Sequence, residues 1–364
     1  MCMANYLLNP MSVSERIVRR TMMVLMHPDA TPEQVEEVMT HITSHKMHAL
    51  RLPGDQHIAI GVASAIPPEV REQLTANLTT LSGVDHVVQI SRPYKLASRE
   101  FRRVDTVFNI KGVTIGGKEC IVTGGPCSVE SREQIFETAR AVQASGAKLL
   151  RGGAFKPRTS PYAFQGLGKE GLVLLKEVGE TLGIVTVSEV MAPEDVCLVT
   201  EYVDMLQIGA RNMQNFPLLV AAGKSGHPVL LKRGPSATID EFLLAAEYLL
   251  HHGTDRVILC ERGVHPIDRT YTRNTLDLNA IPVLKHLTHL PVFADPAHGT
   301  GHTRYVPAMA RASVAAGADG VMIEVHPDPK SAWSDGAQSL TPAQFDTMMR
   351  ELRLVANAVG RSIE

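Results

Sequence analysis

The stretch PVLLKRGPSATIDEFLLAAEYLLHHGTDRVILCERG, Pro228–Gly263, holds one complete unit of the fold. An apolar run, PVLLKRG, ends in Lys232 and Arg233; a helix-period segment, TIDEFLLAAEYLLHHG, follows; a second apolar run, RVILCERG, ends in Glu261 and Arg262. Apolar runs alternating with amphipathic helices predict β-α-β units and a parallel sheet. Outward from this unit the pattern repeats. ECIVTGGP, KLLRGGA, IVTVSEV and DMLQIGA precede it, PVFADPAHG and GVMIEVHP follow it, and helix-period segments separate them all. Among those segments are PEDVCLVTEYV, TLDLNAIPVLKHLTH and a closing TPAQFDTMMRELRLVANAVG. Eight strands, each followed by a helix, over 117–364 predict a (β/α)8 TIM barrel, whose usual length is about 250 residues. A doubly wound sheet would give no reason for the count to stop at eight.

Upstream the rhythm is different. RTMMVLMH reads as a strand, TPEQVEEVMTHITSHK as a helix, HALRLPGDQHIAIGVAS as two strands around a Gly-Asp turn, PPEVREQLTANLTTLSG as a helix and VDHVVQIS as a strand. That order, βαββαβ, predicts a small ferredoxin-like domain over 15–92. Residues 1–14 read as a disordered leader. Residues 93–116 read as a linker ending in a β-hairpin, TVFNIKGVTIGG.

With 364 residues and a formal net charge of -2, the chain has no global positive field that would hold nucleic acid or an anionic membrane. No window has the apolar length of a signal peptide core or a membrane span. The five cysteines are odd in number and scattered, which predicts reduced thiols and a cytoplasmic location. Clustered cations therefore have to be read locally, as the recognition of a small anion.

Barrel enzymes carry their chemistry at the C-terminal ends of the strands. Here those ends supply Cys127, Arg151, Glu189, Arg211, Lys232 with Arg233, Glu261 with Arg262, Asp295 with His298, and Glu324 with His326. Packing alone gives no reason for ionisable groups at every strand end. Cys127, His298, Glu324 and Asp335 form a candidate shell for a divalent metal such as manganese, iron, zinc or cobalt. Taken singly, Cys127 reads first as a small buried hydrophobe, and Glu324 could pair with a barrel arginine; it is their convergence on one barrel mouth that favours the metal reading. Arg151, Lys156, Arg158, Arg211, Lys232 and Arg262 form a cationic group without a matching number of acids, which predicts a substrate with two phosphates. Any one of them alone could be a salt bridge between loops.

The motifs GGPCSVES, LLRGGAFKPRTSPYAFQG, QIGARNMQNFPLL, VLLKRGPSATIDEFLLAAEY, CERG, TRNTLDL, DPAHGTG and MIEVHPDPKSAWSDGAQSL together resemble the type I beta 3-deoxy-D-arabino-heptulosonate-7-phosphate (DAHP) synthases. The resemblance implies condensation of phosphoenolpyruvate with erythrose 4-phosphate, the first step of the shikimate pathway. It implies a metal, manganese first, on Cys127, His298, Glu324 and Asp335. Phosphoenolpyruvate would lie on Arg151, Lys156, Ala210, Arg211, Lys232 and Arg262, and the aldose phosphate on Pro157, Arg158 and Thr159, with Asp335 near its hydroxyls. Lys156 is then the proton donor to the developing alkoxide, and Glu189 orders the water that adds to C2. The resemblance also implies tyrosine or phenylalanine as an inhibitory effector on the small domain, and a homotetramer.

Two positions depart from the family pattern: the loop VHPIDRT after Gly263, and His302 in GHTRYV. A rival within the fold, 3-deoxy-manno-octulosonate-8-phosphate synthase, usually has an asparagine-containing sequence in place of KPRT and lacks the N-terminal domain. A rival of another class is a non-catalytic amino-acid sensor using the barrel as scaffold. It would have no need to retain costly buried charges.

Overall fold

The computed structural model describes residues 21–52, 58–62, 66–90, 93–158 and 160–364. The expected leader, the Gly-Asp turn at 54–55 and Thr159 lie outside the described residues. The chain divides into two compact units, one ending at Lys95 and one running Leu96–Glu364.

In the first unit the strands are β1 (Thr21–Met26), β2 (Ala49–Leu52), β3 (Ala59–Val62) and β4 (Val84–Ile90), ordered β2-β3-β1-β4 with antiparallel neighbours. Helices Pro32–Ser44 and Pro68–Thr79 complete the βαββαβ order. The first helix starts at a capping box, Thr31 with Gln34, and buries Val35, Val38 and Ile42 at helical spacing. These join Met22, Val24, Met26, Ile60, Val62, Leu74 and Leu78 in one core.

In the second unit, β7 (Ile121–Gly125), β8 (Leu149–Arg151), β9 (Val185–Val190), β10 (Met205–Ile208), β11 (Val229–Lys232), β12 (Val257–Glu261), β13 (Val292–Ala294) and β14 (Gly320–Glu324) close into a parallel barrel, β14 pairing with β7. Each strand of such a barrel is covered on both faces, which is why the runs are continuously apolar rather than alternating. The hairpin, β5 (Phe108–Ile110) and β6 (Val113–Ile115), belongs to this unit. Its Ile110 and Ile115 pack with Ile121, Leu149, Val185, Met205 and Leu230 at or near the starts of the strands. The N-terminal end of the barrel is thereby plugged with hydrocarbon. The polar strand ends gather at the opposite face.

Two expected helices are shorter in the structure. PEDVCLVTEYV forms a 3-10 turn, Pro193–Asp195, and a five-residue helix, Val196–Thr200. TLDLNAIPVLKHLTH is helical only over Ala280–Leu287. Pro282 has no N–H and is tolerated only in the first turn, so the helix cannot reach back to Thr275. One short helix, Pro296–Thr300 within DPAHGTG, was not expected from the pattern. Among the described residues, no helix is long and apolar enough to cross a membrane.

Candidate active site

Three strand ends bring Cys127, His298, Glu324 and Asp335 together: Cys127 follows β7, His298 follows β13, Glu324 is the last residue of β14, and Asp335 lies in the loop after it. One ligand atom from each lies within 4.8 Å of the others. His298 Nε2 is 3.4 Å from Glu324 Oε1 and 3.8 Å from Asp335 Oδ2, and the Cys127 thiol donates to Asp335 Oδ2 at 3.2 Å. His298 Nε2 is free to face this centre because Nδ1 is held by Asp295 Oδ2 at 2.8 Å. Asp295 also caps the short helix, accepting from the His298 backbone N–H at 2.9 Å. Asp335 has φ +52 in the left-handed region, rare outside glycine.

The protonation states suit a cation. Burial lowers the His298 pKa from its ordinary value despite Asp295 and Glu324, which favours the neutral imidazole that binds metals. Burial and the neighbouring Glu324 push the Cys127 thiol up to about 11, against the pull of Lys156 and Arg151. A positive charge arriving at Sγ would reverse that balance, and the Lys156 ammonium already lies 2.9 Å from it. Burial opposes the charge of Glu324, but His298 and Arg151 hold the carboxylate below its usual range. Asp335 and Asp295 are likewise held down, Asp335 chiefly by His298 and Arg273, Asp295 by His298 and Lys232, in each case against burial. One soft, one imidazole and two hard donors, converging and with their charges arranged this way, fit a divalent first-row metal.

Above the centre opens a cavity of about 460 Å³. Arg151, Lys156, Pro157, Arg158, Glu189, Ala210, Arg211, Lys232 and Arg262 line it, as do His298 and Asp335. The expectation of unmatched cations needs correction at two residues. Arg151 Nη1 donates to Glu324 Oε1 at 2.8 Å, and Lys232 Nζ is paired with Asp295 Oδ2. The reading of Glu324 as the partner of a barrel arginine thus holds, but the sequence could name neither Arg151 nor the Lys232 pair, because the partners are 173 and 63 residues apart. Lys156 Nζ instead donates to the Cys127 carbonyl and Sγ, Arg158 Nη2 to Ser334 Oγ, and Arg211 Nη1 to the Pro157 carbonyl. Arg262, nearly buried on the cavity wall, has no ion-pair partner among the described residues, and its desolvation lowers its pKa. A buried guanidinium in that position is set up for an anion.

Several strand-end groups stay out of the cavity. Arg233 and Glu261 pair with each other behind it, and His326 binds Glu130 at 3.1 Å. Glu130 in turn accepts the Trp333 N–H at 2.9 Å and so holds the loop that carries Asp335. Conversely, Gln207, His265, Arg273 and Asn274 line the cavity without having been assigned a role. His265 comes from the departing loop VHPIDRT. His302, the other departure, is absent from the lining and stacks edge-on with Tyr305. Gln207 could have been found as an amide inside the apolar run DMLQIGA. It donates to Glu189 Oε2 at 2.9 Å and accepts from Arg151 Nε at 3.3 Å. A Cβ at Gly209 would stand 2.0 Å from Glu189 Oε1, so a side chain there would displace the Glu189 carboxylate from its place beside Gln207.

The DAHP synthetase I family matches residues 86–359, and the DAHP synthase ferredoxin-like domain matches 22–92. The chain belongs to the DAHP synthetase I family. It is an enzyme, a transferase of the 3-deoxy-7-phosphoheptulonate synthase type. Phospho-2-dehydro-3-deoxyheptonate aldolase of Thermotoga maritima is 43% identical over 339 residues, covering 93% of this chain and 99% of that protein. The crystal structure of that DAHP synthase superposes with a TM-score of 0.75 at 42% identity, covering 95% of this chain and 100% of the other. A 2-dehydro-3-deoxyphosphooctonate aldolase of Syntrophobacter fumaroxidans is 34% identical, but over only 70% of this chain and 94% of its own length.

Proposed function

We propose that this synthase works with a divalent metal on Cys127, His298, Glu324 and Asp335, and that the cavity residues divide the two substrates as the family motifs imply. The observation that carries the reading is the convergence of those four ligands directly beneath a cation-lined cavity. Manganese suits the mixed donor set, and iron, zinc or cobalt would fit the same ligands. When bound, the metal supplies Lewis-acid polarisation of the aldehyde. Arg151, Lys156, Ala210, Arg211, Lys232 and Arg262 hold the phosphate and carboxylate of phosphoenolpyruvate, while Pro157, Arg158 and Thr159 hold the phosphate of erythrose 4-phosphate. C3 of the enol attacks the aldehyde carbon. Lys156 Nζ, on the cavity wall beside Cys127, gives its proton to the developing alkoxide. Glu189, oriented by Gln207, orders the water that adds to C2, after which inorganic phosphate leaves by cleavage of its bond to C2. The ferredoxin-like domain binds tyrosine or phenylalanine and inhibits the barrel.

The test follows loss of phosphoenolpyruvate by ultraviolet absorbance, using chelator-stripped protein with manganese restored and erythrose 4-phosphate or arabinose 5-phosphate in parallel. Consumption with the four-carbon aldose alone, abolished by chelator, is the expected result. Full activity after metal removal would overturn the metal centre, and activity only with the pentose would overturn the acceptor assignment. Saturating tyrosine and phenylalanine that both leave turnover unchanged would remove them as effectors.

A further inference from the structure

Each carboxylate of the candidate centre turns one oxygen inward and has the other tied from behind. Glu324 Oε1 and Asp335 Oδ2 face His298 Nε2. Glu324 Oε2 accepts from Gln338 Nε2 at 2.7 Å, and Asp335 Oδ1 accepts from Arg273 Nη1 at 3.2 Å. The same Arg273 Nη1 donates to Gln338 Oε1, also at 3.2 Å. A continuous chain therefore runs Asp335, Arg273, Gln338, Glu324. We propose that Arg273 and Gln338 act as one clamp that holds both carboxylates with one oxygen each turned toward the centre, where a divalent cation would be held. The proposal rests on the metal-centre reading given above.

Residue chemistry supports a clamp over incidental packing. Gln338 is buried, and its amide presents a donor NH2 and an acceptor oxygen side by side, one for each neighbour. The reverse amide orientation would set its oxygen against Glu324 and its NH2 against Arg273, so the network admits a single arrangement. Its backbone helps as well, the Gln338 N–H donating to the Asp335 carbonyl at 3.2 Å in the left-handed turn. Arg273 is mounted rigidly at its backbone. Its N–H donates to the Thr300 carbonyl at 2.9 Å, and Asn274 Nδ2 donates to the His298 carbonyl at 2.9 Å. Gly301, at φ +73, lets this segment lie close, since a Cβ there would stand 2.4 Å from Arg273 Cβ. The clamp thus shares its footing with the loop that bears His298. Both residues are positioning residues, because they reach the centre only through its ligands.

Cobalt titration of the metal-stripped full chain reads the clamp directly, through the thiolate-to-cobalt absorption of Cys127. Gln338→Met and Arg273→Met should each weaken cobalt binding by about 10–100-fold, the range for partners that orient metal ligands. The double variant should bind no more weakly than the worse single one, and Arg273→Lys, which keeps a cationic donor group on a shorter reach, should recover part of the loss. Melting temperatures of the metal-free proteins should stay near wild type; Arg273, part-exposed, keeps the test open should Gln338→Met misfold. Single variants within twofold of wild type, or losses that multiply in the double variant, would overturn the clamp while leaving the centre standing. Absence of the band in the wild type would overturn the centre, and the clamp with it.

Discussion

Lys232 and Arg233 are consecutive cations at the end of β11, yet they face two different regions. Lys232 looks into the barrel mouth and lines the cavity with Asp295 beside it. Arg233 turns outward into a closed cluster. Its Nη1 donates to Glu261 Oε2 and Asp277 Oδ2, both at 2.9 Å, and its Nε to the Ala237 carbonyl at 3.0 Å. Glu261 also accepts the Gly263 N–H at 2.6 Å, so the cluster spends its donors and acceptors on the protein itself. Glu261 and Arg262 divide in the same way, Arg262 going to the mouth. Successive strand residues point to opposite sides, so two neighbouring charges read identically in the sequence and serve different ends. A strand-end charge marks a site only where it faces inward and keeps donors to spare.

The largest effect should come from the inward set. Lys156→Met should leave a folded protein with kcat lowered by ~10²–10⁴-fold, the range for losing a positioned proton donor. A rise in KM with unchanged kcat would make Lys156 a binding residue and erase this distinction within the mouth. Next comes the outward cluster. Arg233→Met leaves Glu261 buried without its partner and should cost ~3–5 kcal/mol of stability, read from the denaturant midpoint, with KM of the remaining folded enzyme near wild type. Arg262→Gln should do the reverse. Losing a charge-assisted contact to an anion, ~1.5–3 kcal/mol, should raise KM for phosphoenolpyruvate by roughly 10–100-fold, while the ligand-free protein keeps or gains stability because an unpaired guanidinium no longer has to be buried. If Arg233→Met and Arg262→Gln lower stability alike, the contrast between the two regions fails.

What the sequence revealed follows the same line. The eight runs were legible because strands covered on both faces must be apolar throughout, and a polar residue can be tolerated only near their ends. Cys127, His298, Glu324 and Asp335 stood out by residue type and by the motifs around them. Their partners did not. Nothing in one dimension pairs Arg151 with Glu324 or Lys232 with Asp295, and nothing tells Lys232 from Arg233 without the strand's facing. Gln207 and Gln338 were hidden for another reason, since a neutral amide is conspicuous only once its burial is known. The helix expected over TLDLNAIPVLKHLTH failed at a detail the sequence did contain, the restriction that Pro282 places on the turn before it.

The smallest expected effect lies away from the mouth, at His289, and it sharpens the comparison by supplying a buried ionisable group that serves architecture alone. Its Nε2 donates to the Leu96 carbonyl at 2.7 Å, which leaves Nδ1 to accept from Thr106 Oγ1 at 2.6 Å. The ring thus ties the segment that precedes the barrel hairpin onto the barrel. Burial, helped by Arg102 and Arg99, lowers its pKa to about 4 against the Leu96 hydrogen bond, whereas the unfolded chain titrates near ~6.5. Between those values the unfolded state binds the proton and the folded state does not. Stability is therefore fully present above about pH 6.5 and falls as the pH drops toward 4, by ~1–1.5 kcal/mol between pH 7.5 and 5.5. His289→Gln can keep one donor and one acceptor without titrating, so its urea midpoint should fall less steeply than the wild type's over that interval. Other titrating groups contribute to both proteins and cancel in the difference. Parallel curves would mean that His289 takes up its proton in the folded protein as readily as in the unfolded chain, and the buried link would have to be drawn with the Thr106 hydroxyl accepting instead.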